Sequence, residues 1–489
     1  MKAKIVLLCL VSFFVAPFIL LFFAIQPSLD FPFQAYFNAF KASFIQASIT
    51  ALVCLLVSLL IVPHLTAWPR QWIDSFLKLS VLPSVFPSLF SLLILFSYFS
   101  HFPYGRWGIV FSFIVVYFGL TLSLIYHSYV NEVLPYKKIW QIYNFTFKQK
   151  FFLVYMPLLL KPILSTAVLI YLGCFASLSI PLMAGGGKEL NLELFTYESV
   201  LVDGKWSILI WLSLFQVFYL IGFQYLTLTL RNTKKFTLNL PDLELNKKVS
   251  SYLAFSILIS YIIFYFGGYL FQVILALKRF PLNNLLTADL GNAFLNSLLL
   301  VIIVSLFLAL IIFSFAYLQF YNLKYHFLFN IMMPSSTLVA VCAFLIFKSN
   351  SRFILEIFKI ALGIVVLYGL SLIKLYVQSQ FDNIQQQIQI ARIYNIRFLD
   401  FVTKLLWPQL KKPIKNLFFM VVLISYFEFG FIKILSVENI YFSTYLERLI
   451  SFYRSDQAFI ASFLLLVALF SPFYIIQRFS YRKSDHVSY

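Results

Sequence analysis

Glu428 stands inside an apolar run, in the triplet Glu428-Phe429-Gly430. A carboxylate within a membrane span is costly and marks a functional position by default. With Tyr426, Phe427, Phe175 and Tyr171 it could offer a negative charge and aromatic faces to a cationic ring. The plainer alternative is that Glu428 pairs with Lys433 or a backbone group and only holds helices together. Glu356 and Lys359 suit a local or snorkelling pair near a span end. Glu189, Glu193 and Glu198, with Lys188 and Lys205, fall in a polar stretch that either meets a soluble partner or is an ordinary solvated loop.

Other chemistries find no support in the sequence. Cys9, Cys54, Cys174 and Cys342 lie in apolar runs and form no CxxC pair, so neither a disulfide framework nor a zinc site is indicated. The five histidines are scattered. Gly185-Gly186-Gly187-Lys188-Glu189 lacks the spacing of a phosphate-binding loop. No nucleophile-base-acid set stands out, so the chain reads as a non-enzyme that binds no cofactor.

The elements that must position these residues are transmembrane helices. Of 489 residues 62% are hydrophobic and 11% charged, and the mean hydropathy is +0.90. That composition excludes a soluble fold and predicts many spans. Apolar windows fall near 4–25, 43–63, 78–100, 108–129, 160–184 and 206–229, then near 250–275, 293–319, 328–347, 353–377, 413–436 and 457–476. The expectation is an all-α polytopic membrane protein of about twelve helices. With the N-terminus inside, 25 of the 37 lysines and arginines face the cytoplasm, as the positive-inside rule requires. The net charge of +19 is therefore a topology signal, not one of nucleic-acid binding. Both termini are expected in the cytoplasm.

The twelve windows divide six and six, and the halves share sequence. Residues 139–163 and 390–414 both carry Ile-Tyr-Asn, then a proline (Pro157, Pro408), then Lys-Pro-Ile. Asn38-Ala39-Phe40 matches Asn292-Ala293-Phe294, and Pro83-Ser84 matches Pro334-Ser335. Two parallel repeats follow, 1–235 and 250–489, joined by a linker at 236–249. Their cytoplasmic segments, 130–159 and 378–412, are too long for turns. Ile139, Ile142, Tyr143 and Phe147 recur at helical spacing, as do Ile390, Ile393, Tyr394 and Phe398. Such a helix lies on the membrane, covers the bundle, or fills a groove on a partner.

These segments resemble the cytoplasmic signature of binding-protein-dependent ABC transporter permeases, E-A-A-x3-G-x9-I-x-L-P. Pro157 and Pro408 align with its last residue, Asn144 and Asn395 with its Gly, and Ala391 with its second Ala. Lys138 and Gln389 replace its Glu. Cys174-Phe175-Ala176-Ser177 with Ala184-Gly185-Gly186-Gly187, and Ser451 to Ala458, are similar to stretches of thiamine transporter permeases. Glu428-Phe429-Gly430 is similar to a triplet of thiamine and iron(III) permeases. The resemblance implies a type I ABC importer permease with two fused halves, moving a small solute, thiamine first and iron(III) next. It implies two cytoplasmic ABC ATPase subunits holding ATP and Mg, a periplasmic or extracellular solute-binding protein, and a bacterial cytoplasmic (inner) membrane. Ile139, Ile142, Tyr143, Asn144, Phe147, Pro157, Ile390, Ala391, Ile393, Tyr394, Asn395, Phe398 and Pro408 would then couple the ATPases to the path. The alternative is an ion-coupled twelve-span secondary transporter, which predicts carboxylates at matched places in both halves.

Overall fold

A computed structural model describes residues 2–24, 31–86, 88–99, 101–136, 151–208, 249–280, 287–321, 353–394, 396–436 and 439–484, with single residues between. The linker at 236–248 and most of the expected span at 328–347 lie outside the described residues, as do Ile139, Ile142, Asn144, Phe147 and Asn395.

Among the described residues every regular element is helical. The first part of the chain holds α1 (Lys2–Ala24), α2 (Phe33–Leu65), α3 (Arg70–Val85), α4 (Ser88–Tyr98) and α5 (Arg106–Ser128). A π-turn at Phe151–Tyr155 leads into α6 (Met156–Phe175), followed by α7 (Ser179–Ala184) and α8 (Leu192–Tyr197). Then come α9 (Val249–Ile262), α10 (Gly268–Arg279) and α11 (Ala288–Phe320). The rest is α12 (Phe353–Tyr376), α13 (Gln378–Asn383), α14 (Gln385–Ile393), α15 (Phe398–Phe401), α16 (Trp407–Phe427), α17 (Gly430–Leu435), α18 (Phe442–Ser451) and α19 (Ser455–Ser484). A second π-turn, Val402–Leu406, precedes α16.

Among the described residues six helices are long and apolar enough to cross a membrane: Phe33–Leu65, Arg106–Tyr136, Phe152–Phe175, Val249–Arg279, Ala288–Phe320 and Leu355–Lys374. The expected third span, 78–100, is instead bent: Arg70–Ser84 and Ser88–Tyr98 meet at 93°. Shorter apolar helices cover Ala3–Val15, Trp206–Gln216, Pro413–Phe427 and Ser455–Leu469. The chain is thus an all-α membrane protein.

Two compact units form, and they do not coincide with the sequence halves. One comprises residues 30–203 and 215–274, the other 1–29, 204–214 and 275–489. In the first, α2 packs on α5, α6 and α9, and α3 packs on α5 and α9. In the second, α11 packs on α1, α12, α16 and α18, and α12 packs on α16 and α17. Each unit has therefore taken the leading helix of the other sequence half.

Packing follows the rule for helices in lipid, where small side chains permit close approach. The buried stripe of α2 runs Ala39, Ala42, Ser43, Gln46, Ala47, Thr50, Ala51, Cys54 and Ser58, at helical period. Phe37, Phe44, Leu52, Leu56 and Leu60 of the same helix are exposed. Small side chains thus dominate the middle of this buried face, while Tyr36, Leu55, Ile61, Val62 and Leu65 are buried towards its ends. Gly119 of α5 lies so near the Ser80 backbone of α3 that a Cβ would collide with the Ser80 carbonyl.

Candidate functional site

Two apolar helices, α6 and α16, are interrupted, and the sequence-predicted path residues sit at the interruptions. Both α6 and α16 begin with a proline in the first turn, Pro157 and Pro408, where the missing N–H costs nothing. Both contain a second proline, Pro162 and Pro413. Each then stops, and a six-residue helix follows after two or three extended or irregular residues. A break inside lipid must satisfy its own backbone groups.

At the α16–α17 break Glu428 does this with its side chain. The Phe431 N–H, in the first turn of α17, donates to Glu428 Oε1 at 3.3 Å. The Tyr368 hydroxyl, from α12, donates to Oε2 at 2.5 Å. Ser443 Oγ of α18 donates to the Glu428 carbonyl at 3.2 Å. The carboxylate is so tied to α12 and α17, and the backbone carbonyl of Glu428 to α18. Lys433 is engaged elsewhere: its Nζ lies 3.0 Å from Glu447 Oε2. Of the two simple structural roles, the backbone contact is present and Lys433 pairs with Glu447.

Tyr426 and Phe427 are buried beside it. The Tyr426 hydroxyl donates to the Phe294 carbonyl at 3.3 Å. Its ring lies 5.6 Å from Phe294 and 6.2 Å from Phe442, and Phe427 lies 6.2 Å from Phe442. These aromatics pack the break against α11 and α18. Glu356, also buried, faces Tyr441 at the start of α18.

Phe175 and Tyr171 belong to the other compact unit, at the α6–α7 break. Their rings stack at 6.4 Å. Phe175 meets Phe40 at 5.6 Å and Tyr219 at 5.5 Å. The Tyr171 hydroxyl and Ser48 Oγ share a hydrogen bond. Here the break carries no carboxylate. Asn191 Nδ2 donates to the Ser177 carbonyl at 3.2 Å, and Asn191 Oδ1 accepts the Leu194 N–H at 2.7 Å to cap α8.

The acidic stretch after α7 is not a uniform solvated loop. Glu193 is fully buried on α8. Glu189 takes Gln46 Nε2 at 3.1 Å from α2 and Arg106 Nε at 2.5 Å from α5. Partial burial beside Asp203 raises the Glu198 carboxyl above its usual range. Lys188 and Lys205 are exposed.

Of the segment expected to meet a partner, the second copy is well described. On α14 Ile390, Ile393 and Tyr394 are 53%, 76% and 75% exposed, while Ala391 is fully buried. Those numbers mean three large apolar groups stand outward from an anchored helix. The anchor is polar. Arg392 Nη2 donates to the Gln319 carbonyl at the end of α11 (2.7 Å), Gln319 Nε2 to the Phe381 carbonyl (2.7 Å), and Gln409 Nε2 of α16 to Gln387 Oε1 (2.8 Å). Phe398 packs on Phe313, Tyr317 and Phe320 of α11. In the first copy Tyr143 is 70% exposed.

Sequence reasoning missed Tyr368, Arg106, Gln46 and a pair of serines. Ser43 Oγ accepts the Leu192 N–H at 2.8 Å, and Ser297 Oγ accepts the Phe442 N–H at 3.0 Å. Both serines follow the matched Asn-Ala-Phe triplets by three residues, so the fuller pattern N-A-F-x-x-S was available. Among the described residues no group of His, Cys, Asp and Glu could hold a metal ion. Searches among known protein families, curated proteins and solved structures find no match.

Proposed function

We propose that the chain is the membrane-spanning permease of an ATP-driven importer, built as two parallel six-span repeats around a path for a small solute. The observation that carries this reading is the recurrence of one element order. A π-turn, a proline-started helix with an internal proline, a break and a six-residue helix occur at 151–184 and again at 402–435, 251 residues on. The surroundings recur too. Phe40 packs on Phe175 as Phe294 packs on Tyr426, each at 5.6 Å. Ser43 and Ser297 hold the start of α8 and of α18.

In this reading the exposed Ile390, Ile393 and Tyr394, with Tyr143 and its neighbours in the first copy, seat in clefts of two cytoplasmic ATPase subunits, which hold ATP and Mg. The polar anchor of α14 passes any displacement to α11 and α16, so the halves rock as rigid bodies. A soluble binding protein delivers the solute to the opposite face. Glu428 and the aromatic side chains at the two breaks favour a cationic aromatic solute, thiamine before iron(III). The protein would sit in a bacterial cytoplasmic membrane with both termini inside. An ion-coupled transporter is the poorer fit, because its carboxylates should be matched. Ser177 stands 251 residues before Glu428, and Ser443 stands 250 after Glu193.

Co-purification decides the reading. A soluble ATPase should stay bound to the wild-type chain and be lost when residues 139–147 and 390–398 are scrambled. Solute uptake into vesicles that contain no ATPase would end the proposal.

A further inference from the structure

A cavity of 340 Å³ opens between α11 and α16. Its floor is apolar and buried, with Leu308 and Ile312 on one helix and Leu410 and Leu417 on the other. Its rim, Phe313, Trp407 and Phe418, is exposed. The one polar side chain in the wall, Ser305, spends its hydroxyl on the Val301 carbonyl at 2.7 Å. Apart from the Trp407 indole N–H at its rim, the cavity offers a polar solute nothing to bond.

Its dimensions are those of one leaflet. From Ser305 to Ala316 is eleven residues, about 16 Å along a helix. That is roughly half the hydrocarbon thickness of a bilayer. One end is marked by Trp407, the side chain preferred at the headgroup level. The same end is basic. Lys411 lies one helical turn beyond Trp407 and one before Ile414, on the groove side of α16, and is exposed. Lys404 lies three residues before Trp407, 77% exposed, 3.3 Å from Asp400.

We propose that this groove seats one acyl chain of an anionic diacyl phospholipid, whose phosphate is held by Lys411 and Lys404. An apolar cavity stays dry and takes apolar ligands, and here the surrounding medium supplies them. The lysines choose the headgroup: each basic residue near an anionic membrane surface strengthens attraction on the order of fivefold. The seated chain would lie against Phe313, whose ring is 5.2 Å from Phe398. The site thus touches the anchored segment that bears Ile390 and Ile393. Binding itself requires only membrane insertion and stands apart from the transport reading.

The test uses the full chain in detergent, exchanged with phosphatidylglycerol or phosphatidylcholine and read by native mass spectrometry. Wild type should keep phosphatidylglycerol at least fivefold over phosphatidylcholine. The Lys404→Gln/Lys411→Gln double variant should lose that preference while still retaining lipid. Ala309→Trp, at the exposed rim, should lower retention of both lipids. In parallel, phosphatidylglycerol with a photoreactive tail should label residues 402–421 of the wild type. Equal retention of the two lipids, a preference that survives the double variant, or labelling as strong on the exposed faces of α2 and α9 as on the groove would overturn the proposal. Should Ala309→Trp fail to fold, the labelling of the wild type decides.

Discussion

At the α6–α7 break a neutral amide does the bonding: Asn191 reaches the Ser177 carbonyl. At the α16–α17 break a carboxylate does it, with Glu428 receiving Tyr368 and the Phe431 N–H. The backbone plan is shared, down to the proline-started helix before the break and the six-residue helix after it. At the α6–α7 break the helix is therefore interrupted without a carboxylate on the break itself. The charge of Glu428 exceeds what the break itself demands, and burying it is expensive. Such an excess is what a solute-recognition role would explain, and the comparison separates the part of Glu428 that shapes the helix from the part that is electrical.

The sharpest way to break the comparison is Glu428→Leu. It removes the carboxylate acceptor of the Tyr368 hydroxyl and the Phe431 N–H, and stability should fall by about 3 kcal/mol, read by thermal unfolding in detergent. Glu428→Gln keeps an acceptor and removes only the charge. It should cost less than about 1 kcal/mol yet reduce uptake of a cationic solute. A Gln variant as unstable as the Leu variant would mean that the charge, not the acceptor, holds the break.

Next in size come two glycines on corresponding helices. A Cβ at Gly119 would strike the Ser80 backbone, and one at Gly363 would strike the ring of Phe431. Backbone cannot yield and a ring can turn. Gly119→Ala should destabilise by about 2 kcal/mol and Gly363→Ala by about half that. Equal losses would show that Phe431 is as fixed as backbone.

Ser43→Ala and Ser297→Ala should each cost about 1 kcal/mol, since each leaves one N–H without its acceptor. Amide exchange at Leu192 and Phe442 should accelerate in the respective variant alone. Smallest are the ion pairs. Arg106→Gln and Lys433→Gln should each cost no more than about 1 kcal/mol. The Arg106 effect should fade more in high salt, because its side chain is 46% exposed against 32% for Lys433.

Much of this was legible in the chain, for physical reasons. Apolar runs of about twenty residues can only be helices in lipid, so the positions of α2, α5, α11 and α12 were visible from composition. The matched Asn-Ala-Phe triplets proved to mark packing: Ala39 and Ala293 are buried, and Phe40 and Phe294 meet the aromatic that ends each interrupted helix. The breaks themselves were not visible. Residues 160–184 and 413–436 are each mostly apolar across the break, and mean hydropathy does not register where a helix stops. Partners distant in sequence were invisible as well. Tyr368 is 60 residues from Glu428, and Arg106 is 83 from Glu189. Lys433 looked like the natural partner of Glu428, five residues away; the extended backbone at Glu428 turns α17 so that Lys433 meets α18 instead.

The two longest helices carry a last consequence. Both α2 and α11 have 33 residues, about 50 Å of rise. A bilayer core of about 30 Å accommodates such a rod only if it leans or stands out at its ends. Asp289 and Asn292 in the first turns of α11 fit an end that stands out into water. How far each rod leans depends on the thickness of the lipid around it. Because Phe40 with Ser43 and Phe294 with Ser297 are fixed to these rods, a thicker or thinner membrane would shift the support of the helix break in each unit.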